Sequence, residues 1–188
     1  SVKIDGRDVR DYHLNTLRGA IGVALQESVL FTGTIEENLR WGDENASPEE
    51  IRHAAAIAQA DSFVEKLADG YQTELGQRGV NLSGGQKQRL CIARALAKHP
   101  RILILDDSTS AVDLATEAEI QKGLRGAFGD MTVFIIAQRI SSVMDADRIL
   151  VMENGRVIDS GKHEELKKRC EVYREIVVSQ LGEEAARA

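Results

Sequence analysis

Short runs of apolar residues recur along the chain and alternate with helix-like segments. A nearly continuous apolar run is typical of a strand that is buried on both faces of a sheet. Such strands are usually parallel, because the helices that connect them cover both faces. The pattern therefore predicts an α/β fold with a largely parallel sheet, whose strands lie at Ile21 to Leu25, Ile102 to Leu105, Val133 to Ala137 and Ile149 to Met152.

The segment 32–97, between the first two runs, has little strand character. Its clearest signal is a helix start, where Ser47 caps, Pro48 takes the first helical position and Glu50 completes a capping box. This helix should extend to about Ala60. We therefore expect a helical subdomain that is inserted between strands of the sheet.

The rest of the chain divides around this subdomain. Residues 1–31 and 98–161 form the α/β core in this interpretation, and residues 162–188 form a C-terminal helix and tail. We expect Trp41 to lie in the core of the helical subdomain. The tail helix should bury one face, which carries apolar residues at intervals of three and four, namely Leu166, Cys170, Tyr173 and Val177.

Composition and charge exclude several classes of function. The 188 residues include 24 Lys plus Arg and 30 Asp plus Glu, a formal net charge of −6, so the chain lacks the basic surface that binds nucleic acid. No apolar run approaches the roughly 20 residues that cross a bilayer, so we expect this chain itself to be soluble. Its two cysteines, Cys91 and Cys170, predict packed thiols rather than a disulfide or a zinc site.

The segment Asn81-Leu82-Ser83-Gly84-Gly85-Gln86 is followed at once by a helix-like stretch. Ser83 is placed as an N-cap, and the two glycines leave backbone N–H groups uncovered at the start of the helix. Because a helix N-terminus favours an anion, a phosphate could bind there. Taken alone, the same residues are more often a capped helix after a glycine turn.

A second chemical signal follows the apolar run that begins at Ile102, because this run ends in the two carboxylates of Asp106 and Asp107. Open α/β sheets bind ligands at the carboxyl ends of their strands, and Mg²⁺ prefers carboxylate and water oxygens. Asp106 is therefore a candidate metal ligand. Taken alone, a pair of aspartates at the end of a strand is also typical of a turn or a helix cap.

Together, in this order and separated by a helix, the two segments resemble the signature sequence and the Walker B strand of an ABC-type ATPase. The resemblance covers nearly the whole chain and is greatest to the nucleotide-binding domains of exporters. It extends to Gln26 as the Q-loop glutamine, Gly76-Gln77-Arg78-Gly79 as the X-loop, Ser110-Ala111-Val112-Asp113 as the D-loop, and Gln138 in the position of the switch histidine.

The resemblance implies a P-loop NTPase-like core with an α-helical subdomain that carries the signature. It also implies ATP and Mg²⁺ as ligands, with the metal held by Asp106 and Gln26. Asp107 takes the position of the general base, and Asp113 belongs to the D-loop.

The chain departs from the family pattern in three ways. No G-x-x-x-x-G-K-[ST] sequence occurs, so the Walker A loop and first strands of the domain would precede Ser1, and we expect the isolated fragment to be inactive. Asp107 stands where the family has a glutamate, and misplacing a catalytic group by about 1 Å can cost on the order of 100-fold in rate. Gln138 replaces a histidine and cannot carry a positive charge near a developing anion.

These departures imply a subunit of a heterodimeric exporter whose own ATP site is degenerate. ABC domains close head to tail, so the signature residues of this chain would complete the partner's site in trans; they are Ser83, Gly84, Gly85 and Gln86. The partner, a second ABC subunit, would supply a competent Walker A, a glutamate base and the switch histidine. A transmembrane domain would contact the Q-loop and X-loop regions, which places the chain at the cytoplasmic face of the cell membrane.

Two other functions stay open from the sequence. The chain could be a non-catalytic regulatory clamp that holds ATP without turnover. It could also be a soluble ABC-type ATPase of DNA repair or translation. The acidic charge, the exporter-like segment Thr34-Ile35-Glu36-Glu37-Asn38 and the lack of a coiled-coil insertion argue against the latter.

Overall fold

A computed structural model describes residues 1–127 and 131–184 of the chain. These residues belong to two units, Ser1–Ile136 and the segment that begins at Ala137. Part of the expected C-terminal tail, residues 185–188, lies outside the described residues.

The secondary structure of the first unit alternates short strands with helices. In chain order its elements are β1 (Lys3–Ile4), β2 (Arg7–Asp8), α1 (Leu14–Gly19), β3 (Ile21–Ala24), β4 (Gly33–Thr34), α2 (Ile35–Arg40), α3 (Pro48–Ile57), α4 (Asp61–Val64), β5 (Glu74–Leu75), α5 (Gly84–Ala97), β6 (Ile102–Asp106), α6 (Leu114–Ala127) and β7 (Thr132–Ile136). The second unit contains β8 (Ile149–Glu153), β9 (Arg156–Gly161), α7 (His163–Arg169) and α8 (Glu171–Leu181).

A three-stranded parallel sheet forms the centre of the first unit. Strand β6 is the middle strand and pairs in parallel with both β3 and β7. Leu105 lies opposite Ala24 on one side and opposite Ile135 on the other, so the three strands end together. This register confirms the predicted α/β fold with a parallel core, and it brings the residues that follow the strands to one edge.

The sheet is well buried on one face only. Ala24, Leu103 and Leu105 lie in the hydrophobic core. On the opposite face Val23 is 46% exposed and Phe134 is 51% exposed. The prediction that these strands are buried on both faces is therefore wrong for the described residues, because an apolar run shows what a strand can bury and not what covers it.

Helix α5 is the main packing element of the first unit. It contacts α2 and α3 as well as strands β3 and β6. Its side chains Leu90, Ile92 and Leu96 are fully buried. Cys91 is also buried and free, as expected for a packed thiol.

The predicted start of α3 is confirmed. Ser47 accepts a hydrogen bond from the Glu50 amide, the Glu50 side chain accepts one from the Ser47 amide, and Pro48 is the first helical residue. The helix ends at Ile57 rather than near Ala60. The chain turns shortly afterwards, where Gln59 adopts a left-handed φ of 56° that ends the helical path.

The second unit differs from the sequence-based expectation in two places. The run at Ile149 does not join the parallel sheet, because β8 pairs with β9 as an antiparallel hairpin. The predicted single tail helix is divided into α7 and α8 at Cys170, whose backbone is extended. The four residues expected on its apolar face are nevertheless all buried: Leu166, Cys170, Tyr173 and Val177.

Among the residues that the structure describes, no helix combines the length and the apolar character that a membrane span requires.

Candidate functional site

The end of strand β6 brings three of the expected site residues together. Asp106 is the last residue of the strand, and Asp107 follows it with a left-handed φ of 45°. Aspartate is one of the few residue types that adopt this backbone conformation with little strain. The Gln26 side chain, just beyond strand β3, donates a hydrogen bond from Nε2 to Oδ2 of Asp107 over 3.2 Å.

These residues suit a hard divalent cation that also binds a substrate. Mg²⁺ is usually held by one or two protein oxygens, with water and phosphate oxygens completing its coordination. Asp106 offers a carboxylate, and Gln26 keeps its amide oxygen available because the amide nitrogen is the atom that bonds to Asp107. Within residues 1–127 and 131–184 no group of three or more His, Cys, Asp or Glu side chains forms a metal cage. The two oxygen donors of Asp106 and Gln26 are of the kind that Mg²⁺ prefers.

The start of α5 has the geometry expected for a phosphate site. Ser83 caps the helix by accepting a hydrogen bond from the Gln86 amide, and the Gln86 side chain accepts one from the Ser83 amide. The first amides of a helix have no partner within the helix. The capping box engages Ser83 and Gln86, so among the residues that the structure describes the amides of Gly84 and Gly85 lie at this open end without a partner inside the helix.

The glycines of α5 also allow a close contact with the loop that follows β6. A Cβ atom on Gly85 would lie 2.7 Å from the carbonyl oxygen of Ala111, and one on Gly84 would lie 3.4 Å from the Ala111 Cβ. The first distance is too short for any side chain. Gly85 is therefore required by packing within this chain as well as by the proposed phosphate contact.

Gln88 binds the same loop, and sequence reasoning missed this residue. Its side chain is 4% exposed. Its Nε2 donates to Ser110 Oγ over 3.0 Å, and its Oε1 accepts from the Ala111 amide over 2.8 Å. A signal was present in the sequence, because Gln88 lies three and four residues before the buried Cys91 and Ile92 and so belongs to the apolar face of α5.

Asp113 ends the loop and caps helix α6. Its carboxylate accepts hydrogen bonds from the amide and the hydroxyl of Thr116 over 2.9 Å and 2.7 Å. These bonds hold the pKa of Asp113 below its ordinary value, with a smaller contribution from the charge of Arg89. The expected D-loop aspartate therefore has a defined structural role in this chain.

Gln138 lies in the second unit. Its carbonyl oxygen accepts a hydrogen bond from Nε2 of Gln180 over 2.7 Å, and Oε1 of the same Gln180 accepts one from the Ile140 amide over 2.8 Å. Helix α8 thus holds the backbone on both sides of Arg139 through a single amide side chain. Gln180 is a second residue that sequence reasoning missed, and it lies on an exposed face of its helix, where no pattern identifies it.

An open groove of about 300 Å³ lies elsewhere on the first unit, beside strand β3. Trp41 and Phe31 line it as a stacked pair with ring centroids 4.8 Å apart. Trp41 is 69% exposed, so the expectation that it lies in the core of the helical subdomain is wrong. Arg94 also lines the groove, and its buried Nη1 atom finds no partner among the residues described.

The X-loop candidate lies in a turn. Gln77 and Arg78 are exposed, whereas Gly79 is buried and has a left-handed φ of 61°. A Cβ atom on Gly79 would lie 3.1 Å from a methyl group of Leu30, so the glycine suits both the turn and the packing. The turn therefore presents the polar side chains of Gln77 and Arg78 to solvent.

Comparison with known proteins links this arrangement to one family. The model of the ABC transporter family matches residues 1–110. The chain is 50% identical over 185 residues to the uncharacterized ABC transporter ATP-binding protein YfiB of Bacillus subtilis, covering 98% of this chain and 32% of that protein. It is 48% identical over 177 residues to the multidrug efflux ATP-binding/permease protein Rv0194 of Mycobacterium tuberculosis, covering 94% of this chain and 15% of that protein.

A solved structure agrees with these relatives. The structure of a bacterial Atm1-family ABC exporter with ATP bound matches with a TM-score of 0.92 and 41% identity, covering 96% of this chain and 32% of that one. The chain therefore spans about a third or less of the length of each of these three proteins.

Proposed function

The chain belongs to the ABC transporter family, and on that premise we propose that it acts in an exporter, where it couples ATP binding and hydrolysis to the movement of a substrate out of the cell. The observation that carries this proposal is the contact between the glycines at the start of α5 and the loop after Asp107. It joins a candidate phosphate site and a candidate catalytic carboxylate in one unit. Relatives named as efflux and export proteins support the direction of transport.

ATP with Mg²⁺ is the proposed ligand. Asp106 and the amide oxygen of Gln26 would hold the metal, which when bound neutralises phosphate charge. Asp107 is the proposed base for the attacking water on this side, and its bond to Gln26 fixes the carboxylate close to the metal ligands.

The site on this side is proposed to be a weak catalyst. A base must come within about 3 Å of the proton that it takes, directly or through one water, and the aspartate side chain is one methylene shorter than the glutamate of the family pattern. Gln138 can donate a hydrogen bond to a phosphate oxygen but adds no positive charge. Together Asp107 and Gln138 make this a degenerate site.

The intact start of α5 is proposed to act in trans. Ser83, Gly84, Gly85 and Gln86 would bind the phosphates of an ATP molecule held by a second ABC subunit. That partner would provide a competent Walker A, a glutamate base and the switch histidine. In this heterodimer most of the turnover occurs at the site that the partner's catalytic residues and this chain's signature form together.

The transmembrane part of the exporter is proposed to dock on the Q-loop region at Gln26 and on the X-loop turn at Gln77, with the groove beside Trp41 as a further contact. An exposed aromatic pair suits a helix end that offers apolar side chains. This docking places the chain at the cytoplasmic face of the membrane. We also retain the division into a core of residues 1–31 and 98–161, a helical subdomain of residues 32–97 and a tail of residues 162–188 as part of the proposal.

A regulatory clamp that holds ATP without turnover is the second candidate. The shortened base at Asp107 and the uncharged Gln138 favour it. The two candidates differ in one measurable quantity, which is the turnover that remains when the partner's base glutamate is replaced. A slow residual ATPase supports hydrolysis on this side, and no residual turnover with ATP still bound supports the clamp.

The experiment that tests the main proposal compares two substitutions in the full-length transporter with its partner. Gly84→Asp should lower the total ATPase rate by more than about 100-fold, because it adds a negative charge at the proposed phosphate site. Asp107→Asn should lower it by less than about twofold, because this side contributes little turnover. Gly126→Asp, at an exposed glycine of α6, is the matched control and should retain full activity. Equal losses from Gly84→Asp and Asp107→Asn would mean that this side is catalytic and that the asymmetric assignment is wrong.

A further inference from the structure

Gln88 is the buried polar residue whose side chain connects α5 to the loop of residues 107–112. Both ends of its amide are used, one by the hydroxyl of Ser110 and the other by the backbone amide of Ala111. Burying an amide costs free energy unless it is hydrogen-bonded, and these bonds satisfy it on both sides. The side chain therefore has a specific geometry to keep and is not only filling space.

The contacts continue from Ser110 to the proposed base. The Ser110 hydroxyl donates to the carbonyl oxygen of Asp107 over 2.9 Å, so Gln88 reaches the backbone of Asp107 through one intermediate. Asp107 is held in a left-handed conformation at that point. A residue in this region of φ and ψ keeps its side-chain direction only while the surrounding contacts fix its backbone.

The same loop is held from a second direction. The carbonyl oxygen of Ala111 packs against Gly85, one turn before Gln88 on the helix, while the amide of Ala111 bonds to Gln88 itself. The backbone of Ala111 is thus fixed between two successive turns of α5. Any displacement of the start of α5 must displace this loop, because there is no free space between Gly85 and the Ala111 carbonyl oxygen.

We propose that Gln88 is a positioning residue that makes the loop of residues 107–112 and the start of α5 move as one body. This inference rests on the proposed function, in which Asp107 serves the ATP site of this chain and Gly84 and Gly85 serve the partner's site. Gln88 would then transmit the state of one ATP site to the other within a single chain. It would act through Ser110, Ala111 and the signature glycines.

The test uses the full-length transporter with its partner and compares Gln88→Met with Ser110→Ala and with the double variant. Gln88→Met keeps the length of the side chain and removes both hydrogen bonds. It should lower the kcat for ATP about tenfold, the effect of losing one buried hydrogen-bond network, and should change the KM by less than about twofold. The double variant should be no slower than Gln88→Met, since both changes break the same network. Gln72→Met, at an exposed glutamine, is the matched control.

Gln88→Glu separates positioning from packing. A carboxylate at this position still accepts a hydrogen bond from the Ala111 amide, but it cannot donate to Ser110, whose single hydroxyl proton goes to the Asp107 carbonyl. Because Gln88→Glu keeps one of the two bonds and Gln88→Met keeps neither, positioning predicts a higher kcat for Gln88→Glu. A space-filling role predicts the reverse order, because methionine is neutral and glutamate buries a charge. The reverse order, or losses that multiply in the double variant, would overturn the proposal.

Hydrogen exchange gives a readout that does not depend on turnover. Gln88→Met should speed exchange of the Ala111 amide by about tenfold, whereas Gln72→Met should leave it unchanged. Unchanged exchange in Gln88→Met would overturn the proposal even if the transporter proved to be a regulatory clamp. Faster exchange together with equal ATPase losses from Gly84→Asp and Asp107→Asn would keep the link and reject the asymmetric function.

Discussion

Two loops follow neighbouring strands of the sheet, and each is held by one glutamine side chain. The loop of residues 107–112 follows β6 and is bound by Gln88, which is 4% exposed. The segment of residues 137–140 follows β7 and is bound by Gln180, which is exposed to solvent. Both glutamines use the amide nitrogen and the amide oxygen at once. The same arrangement, a glutamine side chain that makes two hydrogen bonds to a loop, therefore occurs once at a buried position and once at an exposed one.

The hydrogen bonds of Gln88 and Gln180 should differ in strength, because one side chain is buried and the other is exposed. A hydrogen bond in a buried site is strengthened by the low local dielectric, and breaking it leaves a buried polar group without a partner. At an exposed site water replaces a lost partner at little cost. We call residues 107–112 the first loop and residues 137–140 the second loop. We therefore expect the first loop to be held rigidly and the second loop to change conformation more easily. Three predictions test this difference.

The largest effect should come from a substitution at the close backbone contact between Gly85 of α5 and Ala111 of the first loop. Gly85→Ala should lower the ATPase rate of the full-length transporter by more than about 100-fold, because the new methyl group lies 2.7 Å from the Ala111 carbonyl oxygen and must displace it. Helix propensity alone favours alanine over glycine by about 1 kcal/mol, so propensity cannot explain such a loss.

Gly126→Ala is the matched control for this prediction. Gly126 lies in α6 with nothing within 4 Å of a Cβ atom, so this substitution should keep the ATPase rate and raise the free energy of unfolding by up to about 1 kcal/mol. A Gly85→Ala transporter with normal turnover would mean that the first loop adapts easily. The two loops would then not differ in rigidity.

An intermediate effect should follow from a change in each loop at once. Asp107→Glu lengthens the proposed base on the first loop, and Gln138→His restores a group on the second that can carry charge. With the partner's base glutamate disabled, the double variant should raise turnover at this side by about tenfold, and more than the product of the two single changes. The measurement is the steady-state ATPase rate in that background.

The rise in turnover of this double variant should be limited, because the first loop is held rigidly and adapts poorly to a longer side chain. Asp107 has a left-handed φ of 45°, a conformation that aspartate adopts more readily than glutamate. If the double variant stays at the level of the single variants while ATP is bound, the defect lies in the partner's signature or in closure of the dimer, and the assignment to Asp107 and Gln138 fails.

Local signals in the sequence predicted much of this fold. The capping box at Ser47 and the N-cap at Ser83 were predicted from residue type and spacing and are confirmed, because a cap depends on only a few consecutive residues. The parallel sheet was predicted from its apolar runs and is confirmed. The roles of Asp106, Asp107 and Gln26 in ATP hydrolysis stay predictions, although the structure brings the three residues to one edge of the sheet.

Features that depend on distant packing could not be predicted. Trp41 stacks on Phe31 at the surface and is still 69% exposed, and nothing near either residue in the sequence indicates that pair. Gln88 bonds to residues that lie 22 and 23 positions away along the chain. Cys170 fits the apolar spacing of a single helix, yet its extended backbone divides that helix in two. Periodicity records which face is apolar, but not whether the backbone continues.

The smallest effect should come from the second loop. Gln180→Ala removes the hydrogen bonds to the Gln138 carbonyl and the Ile140 amide, but solvent reaches this side chain and can replace them. With the partner's base glutamate disabled, so that only turnover at this side is counted, the ATPase rate should therefore fall by only about threefold, the lower end of what a lost hydrogen bond costs. Gln180→Glu keeps the acceptor for Ile140 and should fall between the wild type and Gln180→Ala. A loss as large as that of Gln88→Met would show that exposure to solvent does not weaken these hydrogen bonds. The two loops would then be held equally firmly.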